Sequence, residues 1–203
     1  MERRKLFSAL LLISTFTVLE CKVPIVGKVY NIKKFLWTTT PIWTYSTTSR
    51  SDCMCQVDVM KHESAKDITF THIFYDEDHH RKYITLDGVL DKKDVVYVHP
   101  YGSAHYKIKE EIEYLNKSSK CAVIHVLSMS SFYGHVNKYD LRVWNSSNIA
   151  HSAQPCLHAF KKLPVPGLII YKPMCHKILR ETSPQLDAKG KQSQMQFSCS
   201  RKS

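Results

Sequence analysis

The 203-residue chain carries 29 Lys and Arg against 18 Asp and Glu, a formal net charge of +11, and only six glycines. No repeat and no G-x-G-x-x-G nucleotide loop is visible. A positive surplus suits anionic partners such as acidic lipids or glycosaminoglycans, but there is no recognition motif and no concentrated basic stripe, so nucleic acid is set aside and most of the charge reads as solvated surface.

The N-terminus fixes the compartment. Arg3, Arg4 and Lys5 precede an apolar run from Leu6 to Leu19. A run of about 14 residues is short for a bilayer span and right for a secretory h-region. Residues 1–21 therefore read as a signal peptide, cleaved after Glu20 or after Cys21. The second choice puts a small residue at the −1 position and leaves six of the seven cysteines, an even set in which all are expected to be paired. No later stretch is long and apolar enough to span a membrane. The expected product is a secreted, extracellular, soluble protein of net charge +10.

A helical candidate runs from Val29 to Leu36, with Val29, Ile32, Lys33 and Leu36 at helical spacing. Eight short alternating segments follow at 41–47, 55–60, 68–75, 82–87, 94–98, 105–114, 121–129 and 136–144. Asp, Gly, Asn, Lys and Ser separate them, the pattern of an antiparallel barrel or sandwich and not of a β-α-β fold. A second helix is expected over Ser152 to Leu163, stopped by Pro164 and Pro166. Residues 22–178 form one domain, and 179–203 read as a polar, flexible tail up to Cys199.

Side chains alternate along a strand, so each segment presents two faces. Trp43 and Tyr45 share one. Tyr106, Ile108, Glu110, Ile112 and Tyr114 share another, which places a carboxylate in an apolar row, and Lys107, Lys109, Glu111 and Glu113 occupy the reverse. In the last segment Tyr139, Leu141 and Val143 oppose Lys138, Asp140, Arg142 and Trp144. An eight-stranded barrel has room for one small ligand, and a pocket and a packed core fit this pattern equally.

Two sequons, Asn116-Lys-Ser and Asn145-Ser-Ser, are candidate glycosylation sites. Catalytic and metal readings find little support. His79 and His80 beside Asp76, Glu77 and Asp78 fall in a turn, Cys53-Met-Cys55 lacks zinc spacing, and His125 near Ser128 has no nucleophile-elbow setting. No cofactor, no metal and no enzymatic activity are expected.

Four ordered stretches resemble the tick salivary lipocalins, the histamine-binding protein family. They are Thr38-Thr-Thr-Pro-Ile-Trp-Thr-Tyr-Ser-Thr-Thr48 with Cys55-Gln-Val-Asp-Val59; Cys121-Ala-Val-Ile-His-Val126; Tyr139-Asp-Leu141; and Cys156-Leu-His-Ala-Phe160 with Tyr171-Lys-Pro-Met-Cys175. Together they span most of residues 30–178.

The resemblance implies an eight-stranded antiparallel barrel with a C-terminal flanking helix. It also implies the pairs Cys55–Cys175 and Cys121–Cys156; Cys53 and Cys199 are left over as a candidate pair whose connection stays open. The implied function is that of a monomer sequestering a small host mediator, histamine or another biogenic amine. The alternatives are an anionic or apolar lipid mediator, or a host protein bound to the outer surface.

The expected pocket residues are Trp43, Tyr45, Phe70, Tyr106, Glu110, Asp140, Arg142 and Trp144. The chain departs from the amine-binder pattern at Ala122 and Ile112, where acids are expected, and at Arg142, where a Trp is expected. An inward Arg142 suits a ligand carboxylate, and a protonated amine needs carboxylates and ring faces. The third option is that Arg142 and Asp140 only satisfy neighbours at the barrel rim.

Overall fold

A computed structural model describes residues 30–50, 52–102, 107–129 and 136–181. The signal peptide, Tyr106, Cys199 and nearly all of the 179–203 tail lie outside the described residues.

Eight strands form a closed antiparallel barrel: β1 (Ile42–Thr47), β2 (Met54–Glu63), β3 (Asp67–Tyr75), β4 (Arg81–Lys92), β5 (Val95–Pro100), β6 (Ile108–Asn116), β7 (Cys121–Ser128) and β8 (Asn137–Trp144). Neighbours in sequence pair with one another, and β1 closes the barrel by pairing with both β8 and β2. The expected barrel architecture is thus present, and the eight expected segments coincide with its strands. One boundary differs markedly. The expected segment ends at residue 87, yet β4 continues to Lys92. A Cβ on Gly88 would sit 2.7 Å from Ile68 Cγ1 and 3.1 Å from Val96 Cγ2, so glycine here makes room for two core side chains.

Helix α1 (Ile32–Leu36) is capped by Asn31, whose side chain accepts from the Lys34 N–H at 3.0 Å. It is shorter than expected. It buries Ile32, Phe35 and Leu36 against Ile42, Ile112 and Trp144, and its first N–H bonds to the Lys93 carbonyl in the β4–β5 hairpin.

Helix α2 (Ile149–Phe160) packs outside the barrel on β6, β7, β8 and β1. It begins three residues before the expected start, because Asn148 caps it by accepting from the His151 N–H. It accommodates Pro155 and ends at Phe160, well before Pro164. A short strand β9 (Leu168–Ile169), paired antiparallel with the edge of β1, and a 3-10 segment (Pro173–Leu179) packed against β2 were not foreseen.

Disulfides fasten both outer elements. Cys55 joins β2 to the 3-10 segment through Cys175, and Cys121 joins β7 to α2 through Cys156. Cys53 is also disulfide-bonded.

The disulfide to α2 identifies the two faces of the sheet. Cys121, Val123, Leu141 and Val143 pack with Ala153, Cys156 and Phe160 of α2, so they face outward. The alternating residues Ile42, Ala122, Ile124 and Ile112 pack with α1 and face the barrel interior.

Candidate functional site

The described residues bury four charged side chains, and register places all four on the inner face: Asp58 on β2, Glu110 on β6, Asp140 and Arg142 on β8. Ile42 lies opposite Asp58, Thr44 opposite Arg142, Ile124 opposite Asp140, and Val126 opposite Glu110.

Arg142 is the hub. Its two terminal nitrogens donate to the two carboxylate oxygens of Glu110 at 2.9 and 2.6 Å, a bidentate pair. The same guanidinium lies 3.5 Å from Asp58 and 3.6 Å from Asp140. The other oxygen of Asp58 meets the His72 ring at 2.6 Å. Asp140 accepts from Thr47 Oγ1 at 2.7 Å and pairs with Lys138 at 2.9 Å. Arg142 Nε is buried with no protein acceptor.

The charges settle one another's ionisation. Burial alone pushes the Asp58 carboxyl up, but His72 and Arg142 outweigh it and hold the pKa below the ordinary aspartate value. Burial of Asp140 is likewise outweighed by Lys138, Arg142 and the Thr47 hydroxyl, and its pKa is lowered too. Burial would lower the pKa of Arg142, and the three carboxylates raise it instead.

Depressed carboxylate pKa values stabilise the fold above the unfolded aspartate pKa of about 3.9, and that stability is lost as the pH falls through the lower folded values. The urea midpoint should therefore be flat from pH 7 to about 5 and fall steeply below about 4. Equal midpoints at pH 7 and pH 3 would show that the fold does not depress the pKa values of Asp58 and Asp140.

Of the expected pocket residues, Glu110, Asp140 and Arg142 are brought into contact inside the barrel. Phe70 and Trp144 belong to the same inner cluster. Trp144 donates its indole N–H to the Phe35 carbonyl of α1 at 2.9 Å, so it braces the covered end.

Trp43 and Tyr45 take the other face, contrary to the expectation that they point inward. Trp43 is fully buried under the C-terminal segment, 5.3 Å from the Tyr171 ring and 5.4 Å from His176, and its indole N–H donates to Asn145. Tyr45 packs 6.0 Å from Tyr171. Every residue of β1 is buried: β9 pairs along its edge, and Tyr171, the 3-10 segment and α2 pack over Trp43 and Tyr45 on its outer side. Alternation showed that the two rings share a face without showing which face is inner.

Both sequon asparagines sit beside strand ends: Asn116 Oδ1 accepts from the Ser119 N–H, and Asn145 Oδ1 from Trp43.

Asp58, His72, Lys138 and Thr47 are the members that sequence reading did not assign to the site. Asp58 stands in Gln56-Val57-Asp58-Val59, where the polar row resembles a solvent face. His72 is its direct partner across β2 and β3.

No protein-family model matches the chain, and no curated protein matches it. Solved structures of similar shape include lobster apocrustacyanin A1, at 12% identity over 66% of this chain and 77% of that one, TM-score 0.49. The siderocalin Ex-FABP, said to function through dual ligand specificities, matches at 7% identity over 65% and 88%, TM-score 0.47. A deswapped triple mutant of bovine odorant-binding protein matches at 10% over 64% and 90%, TM-score 0.45.

Proposed function

We propose that the protein is a secreted lipocalin of the tick salivary type that sequesters a small cationic mediator, a biogenic amine such as histamine, inside its barrel. The observation that carries this reading is the charge of the interior. Among the described residues, Asp58, Glu110 and Asp140 pair with Arg142 and Lys138 alone as permanent cations, so one negative charge is left over when His72 is neutral. A protonated amine supplies the missing charge and hydrogen-bonds to carboxylates.

The arginine does not favour a carboxylated lipid. Both outer nitrogens of Arg142 are committed to Glu110, and two further acids lie within 3.6 Å. A ligand carboxylate would enter a field already negative. Only Nε is open to a ligand acceptor atom.

Such a cluster is also a poor device for stability alone. Desolvating several ions costs as much as their attraction returns, and apolar residues of similar size do as well or better. Ligand recognition is a reason to keep it.

Calorimetry with histamine, serotonin and a leukotriene tests the reading. Heat is expected with an amine and none with the leukotriene. Asp58→Asn and Asp140→Asn should each weaken the amine by about 10- to 150-fold, the equivalent of roughly 1.5–3 kcal/mol for a hydrogen bond to a charged group. Amine binding undiminished in both folded variants would place the ligand elsewhere. Heat with the leukotriene alone would favour the lipid reading, and no heat with any of the three would favour a host protein on the outer surface.

A further inference from the structure

We propose that the outer face of the barrel carries a divalent-metal site, suited to Zn2+, formed by Glu111 and Glu113 on β6 and His125 on β7. One His125 ring nitrogen and one carboxylate oxygen from each glutamate lie within 4.8 Å of one another. Glu111 and His125 are direct cross-strand partners, so the backbone fixes their approach. Imidazole and carboxylate ligands bind Zn2+ at about 2.0–2.2 Å, so closing the set needs only a small swing of the two glutamate side chains.

The histidine is set up as a ligand from outside the cluster. Its Nε2 lies 2.8 Å from the Asn137 side-chain oxygen on β8. An amide oxygen can only accept, so Nε2 carries the hydrogen and Nδ1 keeps its lone pair. The ring also stacks on Tyr139, with centroids 4.5 Å apart and planes 14° off parallel. A fixed tautomer and a held ring are what outer partners give a metal-binding histidine.

The place already draws a cation. The Lys109 ammonium contacts Glu111. A divalent ion would displace it. On the other side Glu113 borders a cavity of about 310 Å3 beneath α2, and the fourth position of a tetrahedral set would be left to water.

Asp76, Asp78 and His80 also converge within 4.8 Å. There the Asp76 oxygen is taken up by the N–H groups of Asp78 and His80, and Lys82 pairs with the same carboxylate, which accounts for the grouping as a hairpin turn.

Calorimetry of the full secreted chain with Zn2+ alone, after chelator treatment, is the test. One equivalent should bind at neutral pH. His125→Ala and Glu113→Gln should each weaken it at least about tenfold, and Asn137→Ala by about 10- to 100-fold as an orienting partner. Lys109→Met should tighten it by removing the competing ammonium, a gain that general damage to the fold would not produce. His80→Ala should change nothing. Absence of binding would overturn the proposal, as would binding that survives His125→Ala or is lost in His80→Ala. The site lies outside the barrel, so these outcomes are independent of the amine reading.

Discussion

Replacing Arg142 by methionine should lower the unfolding free energy by about 3–5 kcal/mol, the range for removing one partner of a buried ion pair. Arg142 is 6% exposed and within 3.6 Å of three carboxylates, two of which have no other permanent cation. Without it Glu110 remains buried and uncompensated and Asp58 is left with His72 alone, so relief comes through protonation or local opening. The effect should therefore shrink at low pH, where the acids are neutral in any case. Adding Glu110→Gln to Arg142→Met should recover part of the loss, since it removes the charge left behind. Urea unfolding of the two single variants and the double variant forms a cycle, and their coupling should be large because the pair is in direct bidentate contact. A single variant as stable as the parent would mean that the guanidinium is not the hub of the interior.

That expectation differs from what alternation alone suggests. With the acids taken as ligand contacts only, exchanging Arg142 for a neutral side chain would remove a like charge near an amine and leave the fold untouched. The register changes the sign. Glu110, Asp140 and Arg142 are not three independent contacts lining a pocket but one network, extended by Asp58, His72, Lys138 and Thr47. Any ligand entering it exchanges with an internal partner, so its binding strength is the difference between two well-satisfied arrangements.

The barrel was legible because its strands alternate strongly and are separated by turn residues. The inner row of β8 was legible for the same reason, since Lys138, Asp140, Arg142 and Trp144 sit at every second position. What sequence could not supply was the sidedness of β1 and β2. Polar-out, apolar-in is the usual guide for a half-exposed strand, and it holds only where the outer face meets water. Here Tyr171, the 3-10 segment tied down by Cys175, and α2 shield the outer face of β1 and the start of β2, while β9 pairs along the edge of β1. The apolar row Trp43, Tyr45 and Val57 therefore lies outside under that cover, and the polar residues Thr44 and Asp58 lie inside. The C-terminal elements here are a two-residue edge strand and a seven-residue 3-10 segment, too short for a periodicity signal.

Trp43→Ala tests that assignment and should be the other large loss. Trp43 is fully buried, and truncating a buried tryptophan costs about 3–5 kcal/mol through lost burial and the cavity left behind. The loss should be concentrated outside the barrel. Without the indole, the Tyr171 and His176 rings lose their edge-on partner and Asn145 loses its donor, so the 3-10 segment should become open to protease near residues 171–179. Trp43→Phe keeps a ring between Tyr171 and the sheet and should fall between parent and alanine. Amine affinity, measured on folded protein well below the unfolding transition, should be unchanged in both variants. The inner residues Thr44, Asp58 and Arg142 project from the opposite face of the sheet. If Trp43→Ala instead abolished amine binding while its urea midpoint stayed at the parent value, the ring would have to face the ligand, and the inner and outer faces assigned to β1 would be reversed.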